Sequence, residues 1–275
     1  ANTVGAEPWF NVPYNADDDY VERMATLVRD SLRPDLNVTV EWANEAWHIG
    51  FTGGRYAQDR GLELGLQEGG WWGGDVNEAR ICYLGNRTAE VGIIWKRVFG
   101  DQAHRVRVVA ASQQVWPIVS ERLLGCHGVH RYIDALALGA YFSTDVTSSG
   151  LTLSDVLAAL PGAVNRTMTD LEVHAGTAAS FGKPIVVYEA GQSLVGPGGA
   201  DDLAIQANRD PSMRALYRHY LHELRRLGFG LIMHFSSTGV PSRYGSWGLR
   251  EATDQRPTTA PKLQGLMDYW NGTAT

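Results

Sequence analysis

Short apolar runs rich in β-branched residues alternate along the chain with longer segments in which apolar residues recur every three to four positions. The first pattern is typical of buried strands and the second of amphipathic helices. Their regular alternation predicts a parallel sheet whose strands are joined by crossover helices. The predicted strands are 8–12, 37–45, 105–112, 134–142, 184–191 and 229–237. The predicted helices are 16–32, 76–99, 115–124, 163–181, 209–227 and 260–270.

A series of strands with one sense builds either a doubly wound open sheet or a (β/α)8 TIM barrel. A doubly wound sheet that binds a dinucleotide has a G-x-G-x-x-G turn after its first strand. No predicted strand of this chain ends in that motif. We therefore expect an α/β fold of the TIM-barrel type, with residues 1–275 forming a single domain in which six of the barrel's strands are recognisable.

Two glutamates follow apolar strand patterns in the same way. Along 38–45 the strand alternation places Glu41 and Glu45 on one face, and Glu189 closes the pattern of 184–191. Catalytic residues of TIM barrels lie at the carboxyl ends of the strands. Glycoside hydrolysis needs two carboxyl groups there, one protonated and one ionised. Either glutamate alone is better explained by helix capping or ion pairing, but the two together, each beside an aromatic residue, favour catalysis.

The composition excludes some partners and suggests another. The net charge is −6 and no basic run is present, so we expect no nucleic-acid partner. The apolar runs are too short to cross a bilayer, so we expect no membrane partner. Nine Trp and eleven Tyr are many for 275 residues. Core packing explains some of them, and exposed rings on which sugars stack are the alternative for the rest.

The strand-end motifs resemble those of a known clan. Asn44-Glu45 and Tyr188-Glu189 resemble strands four and seven of the retaining glycosidases built on TIM barrels, which include cellulases, mannanases and β-galactosidases. The stretches "PWFNVP", "DDDYVERMATLV", "VEWANEAW" and "VVYEAGQ" resemble, more narrowly, uncharacterised bacterial proteins of that clan described as cellulose-binding or glycosidase-like. The resemblance covers roughly residues 5–270.

The resemblance implies a role for each matching residue. Glu45 matches the acid/base, Glu189 the nucleophile, Asn44 the residue that binds the sugar 2-hydroxyl, and Tyr141 a tyrosine that contacts the nucleophile. Where the clan has a tryptophan after strand eight, this chain has His234 or Phe235, and Trp247 could supply the missing ring; His48 replaces an asparagine of the narrower group. The predicted sugar-binding residues are Asn44, Trp9, Trp47, His48, Tyr141, His234 and Trp247.

If Glu45 ends strand four, as the resemblance implies, then 8–12 is the third strand of the barrel and 229–237 is the eighth. We therefore expect a barrel that lacks its first two βα units, completed by a preceding segment or by a second chain; the alternative is that strands are hidden within 46–75 or 143–162. The clan's arginine near the nucleophile, which strand two normally delivers, would be lost. The two strands at the gap should not pair with each other, and Phe10 and Ile232 or Met233 should be more exposed than core residues.

The cysteines and histidines carry weaker signals. Cys82 and Cys126 could form one disulfide, but two separate buried thiols are the favoured interpretation. The histidines of the pairs 127/130 and 219/222 are spaced so that the two side chains could lie together on one helix face. Neither pair lies at a strand end beside a carboxylate. Packed or solvated histidines are favoured, and we predict neither a metal nor a cofactor.

Three functions follow in order of preference. The first is a retaining glycoside hydrolase that cleaves β-glycosidic bonds of a poly- or oligosaccharide with Glu45 and Glu189. The second is a non-catalytic carbohydrate-binding protein on a degenerate barrel, and the third is a barrel metallohydrolase. Nothing at the N-terminus resembles a signal peptide, although a mature chain would have lost one. Secretion is our expectation.

Overall fold

The computed structural model describes residues 1–67, 74–199 and 202–272. In this part of the chain six strands form one sheet in the order β1-β2-β3-β4-β5-β6. The strands are β1 (Trp9–Val12), β2 (Val38–Trp42), β3 (Val106–Ser112), β4 (Ala135–Phe142), β5 (Ile185–Gln192) and β6 (Ile232–His234). The helices are α1 (Asp18–Ser31), α2 (Thr52–Glu63), α3 (Gly74–Phe99), α4 (Pro117–Gly125), α5 (Leu153–Ser180), α6 (Leu203–Arg209), α7 (Ser212–Arg226) and α8 (Pro261–Trp270).

The predicted parallel α/β sheet is confirmed, and β1 and β6 are the edge strands of its order. As expected for edges, Phe10 in β1 and Ile232 and Met233 in β6 are each partly exposed. In contrast, every residue of β2 is buried. Among the described residues no helix is both long and apolar enough to cross a membrane.

The chain divides into two compact units. The first unit comprises Ala1–Leu138 and Gly176–Val186, and the second comprises Gly139–Ala175 and Val187–Thr275. The first contains β1, β2 and β3, the second contains β6, and β4 and β5 contribute residues to both. That residues 1–275 form a single domain stays a prediction.

In the first unit the strands pair in register with their chain neighbours. Trp9 lies opposite Thr39, and Val38 lies opposite Val106. The long helix α3 covers this part of the sheet, and its Trp95 is fully buried with its ring 6.5 Å from that of Phe10. Apolar side chains on one face of the helix thus supply the burial that the strands require.

The two cysteines form a disulfide, so the favoured prediction of two separate thiols is wrong. Cys82 lies in α3, and Cys126 directly follows α4. Packing of these two helices brings the Cα atoms to 5.5 Å, which is within the span of a disulfide. The residues are 44 positions apart, and no local pattern in the sequence reports such a contact.

In the second unit two tyrosines of α7 pack against the last residues of β4 and β5. Tyr217 and Tyr220 are fully buried, and both rings contact the ring of Phe142 at the end of β4. The Tyr220 hydroxyl donates a hydrogen bond to the carbonyl of Ala140, and the Tyr217 hydroxyl accepts one from the backbone N–H of Gln192 at 3.0 Å. These bonds hold the carboxyl ends of β4 and β5 to the helix.

Candidate active site

Glu189 lies in β5 and its carboxylate is held by a tyrosine of β4. The Tyr141 hydroxyl donates a hydrogen bond to Glu189 Oε2 at 2.8 Å. The resemblance implied this contact, and the structure contains it. Glu189 is followed by three more strand residues, so it lies within β5 rather than closing it. Both side chains are partly exposed and therefore accessible to a ligand.

Two opposing effects set the protonation of Glu189. Burial raises the pKa of its carboxyl above the ordinary value, because the charged form loses hydration. The hydrogen bond from Tyr141 favours the ionised form and lowers the pKa, but the effect of burial is larger. The net pKa is raised, so Glu189 holds its proton to higher pH than an exposed glutamate does.

The substitution Tyr141→Phe should raise the pKa of Glu189 further, because it removes the donor that stabilises the ionised carboxylate. The titration can be followed by the ¹³Cδ chemical shift of Glu189, which requires no substrate. Tyr132→Phe is a matched control in the first unit, at a half-exposed tyrosine, and should leave the midpoint unchanged. An unchanged or lower midpoint in Tyr141→Phe would show that the hydroxyl does not stabilise the carboxylate.

Aromatic rings extend from Tyr141. The ring of Trp247 meets that of Tyr141 edge to face with centroids 5.6 Å apart, and the ring of Phe235 meets Trp247 at 5.8 Å. The indole N–H of Trp247 donates to the carbonyl of Tyr244 at 2.8 Å, which fixes the plane of the ring. The second unit therefore presents an aromatic wall next to a carboxylate.

Of the two residues that could replace the clan's tryptophan, the structure groups Phe235 with Trp247 and groups His234 with the core. Phe235 is 42% exposed, whereas the ring of His234 lies 5.6 Å from that of buried Tyr217. His234 Nε2 is 3.3 Å from the Tyr217 hydroxyl. Burial, reinforced by the charge of Lys262, lowers the pKa of His234 to about 3, so the ring is neutral near pH 7.

In the first unit Glu45 lies in a turn and not in the strand. β2 ends at Trp42, and Ala43 and Glu45 have positive φ angles of 58° and 48°. The predicted alternation through 45 is therefore wrong, because alternation holds only for extended backbone. Each left-handed non-glycine residue costs about 1–2 kcal/mol, and such strain is concentrated at functional sites.

Hydrogen bonds from β1 hold this turn. The N–H of Ala43 donates to the carbonyl of Val12 at 2.8 Å, and the Asn11 side-chain amide donates to the carbonyl of Ala43 at 2.9 Å. Further along, the N–H of His48 donates to the carbonyl of Glu45 at 2.9 Å. The position of Glu45 thus depends on an asparagine more than thirty residues earlier.

The residues after Glu45 form a second group of rings. The ring centroids of Trp47 and His48, and of His48 and Phe51, are each 5.4 Å apart. The carbonyl of Trp47 accepts a hydrogen bond from Arg80 Nε at 3.0 Å, and Arg80 also binds the side chain of Gln58. Asn44 and His48 are exposed, and their role in sugar binding stays a prediction.

Trp9 is placed differently from the other predicted residues of the first unit. It is the first residue of β1, and its indole N–H donates to Glu41 Oε2 at 2.9 Å. Glu41 lies inside β2 and is 2% exposed. The structure thus groups Trp9 with a buried carboxylate rather than with the turn that carries Glu45.

Several residues that contact the surroundings of Glu45 or of Glu189 and Trp247 were not predicted. They are Asn11, Phe51, Arg80, Gln192 and Lys262. Phe51 follows the Glu45 motif closely, and Gln192 lies on β5 three residues after Glu189. The other three lie on different elements and make their contacts through tertiary packing. Within the described ranges no group of three or more His, Cys, Asp or Glu side chains could hold a metal ion.

Three solved structures similar to this chain are glycoside hydrolases of clan A. A family 26 endo-β-1,4-mannanase from Cellulomonas fimi is 15% identical, with a TM-score of 0.51 over 92% of this chain and 45% of its own. A family 51 arabinofuranosidase from Xanthomonas axonopodis pv. citri is 10% identical, with a TM-score of 0.58 over 87% and 48%. A Bacteroidetes-affiliated family 5 cellulase is 10% identical, with a TM-score of 0.50 over 94% and 61%. The chain has an α/β fold of the TIM-barrel type.

At such identities the likeness concerns the fold alone, because one fold can host many functions. The chain spans less than half the length of the mannanase and of the arabinofuranosidase. No protein-family model matches the sequence, and no curated protein matches it. In TIM-barrel enzymes the carboxyl ends of the strands carry the chemistry. Glu189 lies near that end of β5, and Glu45 follows the same end of β2.

Proposed function

We propose that the protein is a retaining glycoside hydrolase that cleaves β-glycosidic bonds of a poly- or oligosaccharide. The observation that carries the proposal is the carboxylate of Glu189, which accepts a hydrogen bond from Tyr141 at 2.8 Å beside the rings of partly exposed Trp247 and exposed Phe235. Carboxylates and exposed rings are the two groups that hydrolysis and binding of a sugar require. The three similar structures are glycoside hydrolases, which is consistent with the same class of reaction.

The proposed reaction proceeds by double displacement. Glu189 attacks the anomeric carbon while Glu45 gives its proton to the departing glycosidic oxygen, which leaves a glycosyl ester on Glu189. Glu45, now ionised, takes a proton from water, and the water oxygen displaces Glu189 from the anomeric carbon. Each step inverts the carbon, so the product keeps the configuration of the substrate. Asn44 donates to the sugar 2-hydroxyl in this scheme.

Tyr141 has two roles in this proposal. Its hydroxyl fixes the direction of the Glu189 carboxylate, and it stabilises the ionised form that must attack. Burial raises the net pKa of Glu189, so the acid limb of the pH–rate profile should have its midpoint at a higher pH than the pKa of an ordinary exposed glutamate.

The substrate class is proposed no more narrowly than a carbohydrate. The three similar structures are a mannanase, an arabinofuranosidase and a cellulase, so they differ in the sugar on which each acts. Secretion, which would give the protein access to a polysaccharide, is part of the same proposal.

The decisive experiment is hydrolysis of glucan, mannan, xylan and galactan by the wild type, with the product anomer assigned by ¹H NMR immediately after cleavage. Turnover with retained configuration is the expected result. Inverted products would exclude Glu189 as a nucleophile. Glu189→Gln is the companion variant, and its expected effect is large.

The second candidate function is carbohydrate binding without turnover. It is favoured by the raised pKa of Glu189, since a nucleophile must be ionised and burial opposes ionisation here. Calorimetric titration of wild type and Glu189→Gln with oligosaccharides of the same four polymers separates the candidates. Equal affinity in both forms with no turnover in either supports the binding protein.

A further inference from the structure

Lys262, near the start of α8, is an unusual lysine because its side chain is almost completely buried. The residue is 1% exposed and ranks among the largest fully buried side chains of the described residues. Its ammonium donates to the carbonyl of Ser246 at 2.6 Å and lies 3.4 Å from that of Trp247. Lysine is almost never fully buried without a specific partner, and here the partners are main-chain carbonyls.

The carbonyl of Ser246 is held from two sides. Besides Lys262, the side-chain amide of Gln192 donates to it. The Gln192 side-chain oxygen is itself fixed by the N–H of Leu194 at 2.7 Å. Gln192 closes β5, the strand that carries Glu189. A single peptide of the loop is therefore clamped between α8 and that strand.

The clamped peptide directly precedes the ring that faces the candidate site. Trp247 contacts Tyr141, and Tyr141 donates to Glu189. The carbonyl of Trp247 also accepts a hydrogen bond from the N–H of Ser236 at 3.3 Å. Any shift of the 246–247 peptides therefore moves the indole relative to the carboxylate.

The protonation of Lys262 is set by its surroundings. Burial lowers the pKa of Lys262 to about 7, and the negative charge of Glu251 opposes this effect. Burial keeps Tyr217 and His234 uncharged near neutral pH, because it raises the pKa of the phenol and lowers that of the imidazole to about 3. The charged and titratable groups that interact with Lys262 from neighbouring elements are Tyr217, His234 and Glu251, which is paired with Arg209.

We propose that Lys262 is a positioning residue that holds Trp247 beside the Glu189 carboxylate, and that loss of the Lys262 proton releases this hold. An ammonium forms markedly stronger hydrogen bonds to carbonyl oxygens than a neutral amine does. The clamp is therefore firm below neutral pH and weak above it. The role of Trp247 in sugar binding rests on the proposed function, whereas the clamp itself does not.

The first measurement follows Lys262 directly. The sequence contains three lysines, so a protein labelled with [¹³Cε]lysine gives three resonances that single substitutions can assign. We expect one of them to titrate near pH 7 and to be missing from Lys262→Met. Glu251→Gln should move this midpoint to lower pH, because it removes the charge that favours the ammonium. Glu223→Gln, a control carboxylate paired with Arg226, should leave it unchanged.

The second measurement follows Trp247 with ¹⁹F NMR of protein labelled with 5-fluorotryptophan, in which Trp247→Phe identifies the resonance. We expect the Trp247 shift to titrate between pH 5.5 and 9 with the midpoint found for Lys262, to move with it in Glu251→Gln, and to be constant in Lys262→Met. If Lys262→Met does not fold, the parallel midpoints in wild type and Glu251→Gln decide the matter.

A Trp247 resonance that does not titrate, or that titrates unchanged in Lys262→Met, would overturn the proposal. Neither readout requires a substrate. Failure of every polysaccharide to react would therefore refute the proposed hydrolysis and leave the clamp standing, whereas a constant Trp247 signal in an active enzyme would refute the clamp alone.

Discussion

Glu189→Gln is expected to lower kcat on a hydrolysed polysaccharide by about 10³-fold or more. The amide that replaces the carboxylate cannot form the glycosyl ester. It can still accept the hydrogen bond from Tyr141, so the geometry around the site should persist. The measurement is the rate of reducing-end release by wild type and variant on the same polymer.

Glu172→Gln is the matched control, since Glu172 is an exposed glutamate of α5 in the same unit. It should retain wild-type turnover. Rescue of activity by azide distinguishes the roles of the two glutamates. With an activated aryl glycoside, Glu189→Ala plus azide should yield the glycosyl azide of inverted configuration, and Glu45→Ala plus azide should yield the retained one. Full activity of Glu189→Gln would remove the nucleophile assignment.

The stability of Glu189→Gln helps to interpret its activity. A carboxyl whose folded pKa is raised stabilises the fold most at low pH, and this contribution falls as pH rises from the unfolded pKa through the folded one. At neutral pH the ionised carboxylate therefore lowers the free energy of unfolding. The neutral amide should unfold at the same temperature as wild type or a higher one, so a loss of activity would reflect chemistry rather than unfolding.

Removal of the disulfide, by the double substitution Cys82→Ala and Cys126→Ala, should lower the free energy of unfolding by about 4 kcal/mol. The bridge closes a loop of 44 residues, and that value is the chain entropy such a loop removes from the unfolded state. For a chain of this size the loss corresponds to a fall in Tm of roughly 8–16 °C. Urea titration of both proteins under oxidising conditions measures it.

A reducing agent provides the control for this prediction. Reduced wild type should unfold close to the midpoint of the double variant, because both lack the cross-link and both have small side chains at these two partly exposed positions. Equal midpoints of oxidised wild type and the double variant would show that the bridge contributes nothing to stability.

The sequence by itself determined most of the sheet. Strands predicted at 105–112, 134–142 and 184–191 are within one residue of β3, β4 and β5. Central parallel strands are buried on both faces, so they are written as continuous apolar runs that need no tertiary information. The edge strand β6 is predicted less well, since 229–237 shrinks to three residues. An edge strand pairs on one side, and its apolar pattern extends into residues that have no partner.

Only the tertiary structure decided how the candidate residues are held. Ala43 and Glu45 carry no signal of a left-handed turn, which glycine or asparagine would give. The turn is held because the Asn11 amide donates to the carbonyl of Ala43 and the carbonyl of Val12 accepts from the N–H of Ala43. A lysine in sequence predicts an exposed side chain, and burial of Lys262 is possible because the main-chain carbonyls of Ser246 and Trp247 accept hydrogen bonds from its ammonium. Such contacts join residues far apart in the chain, so no local pattern encodes them.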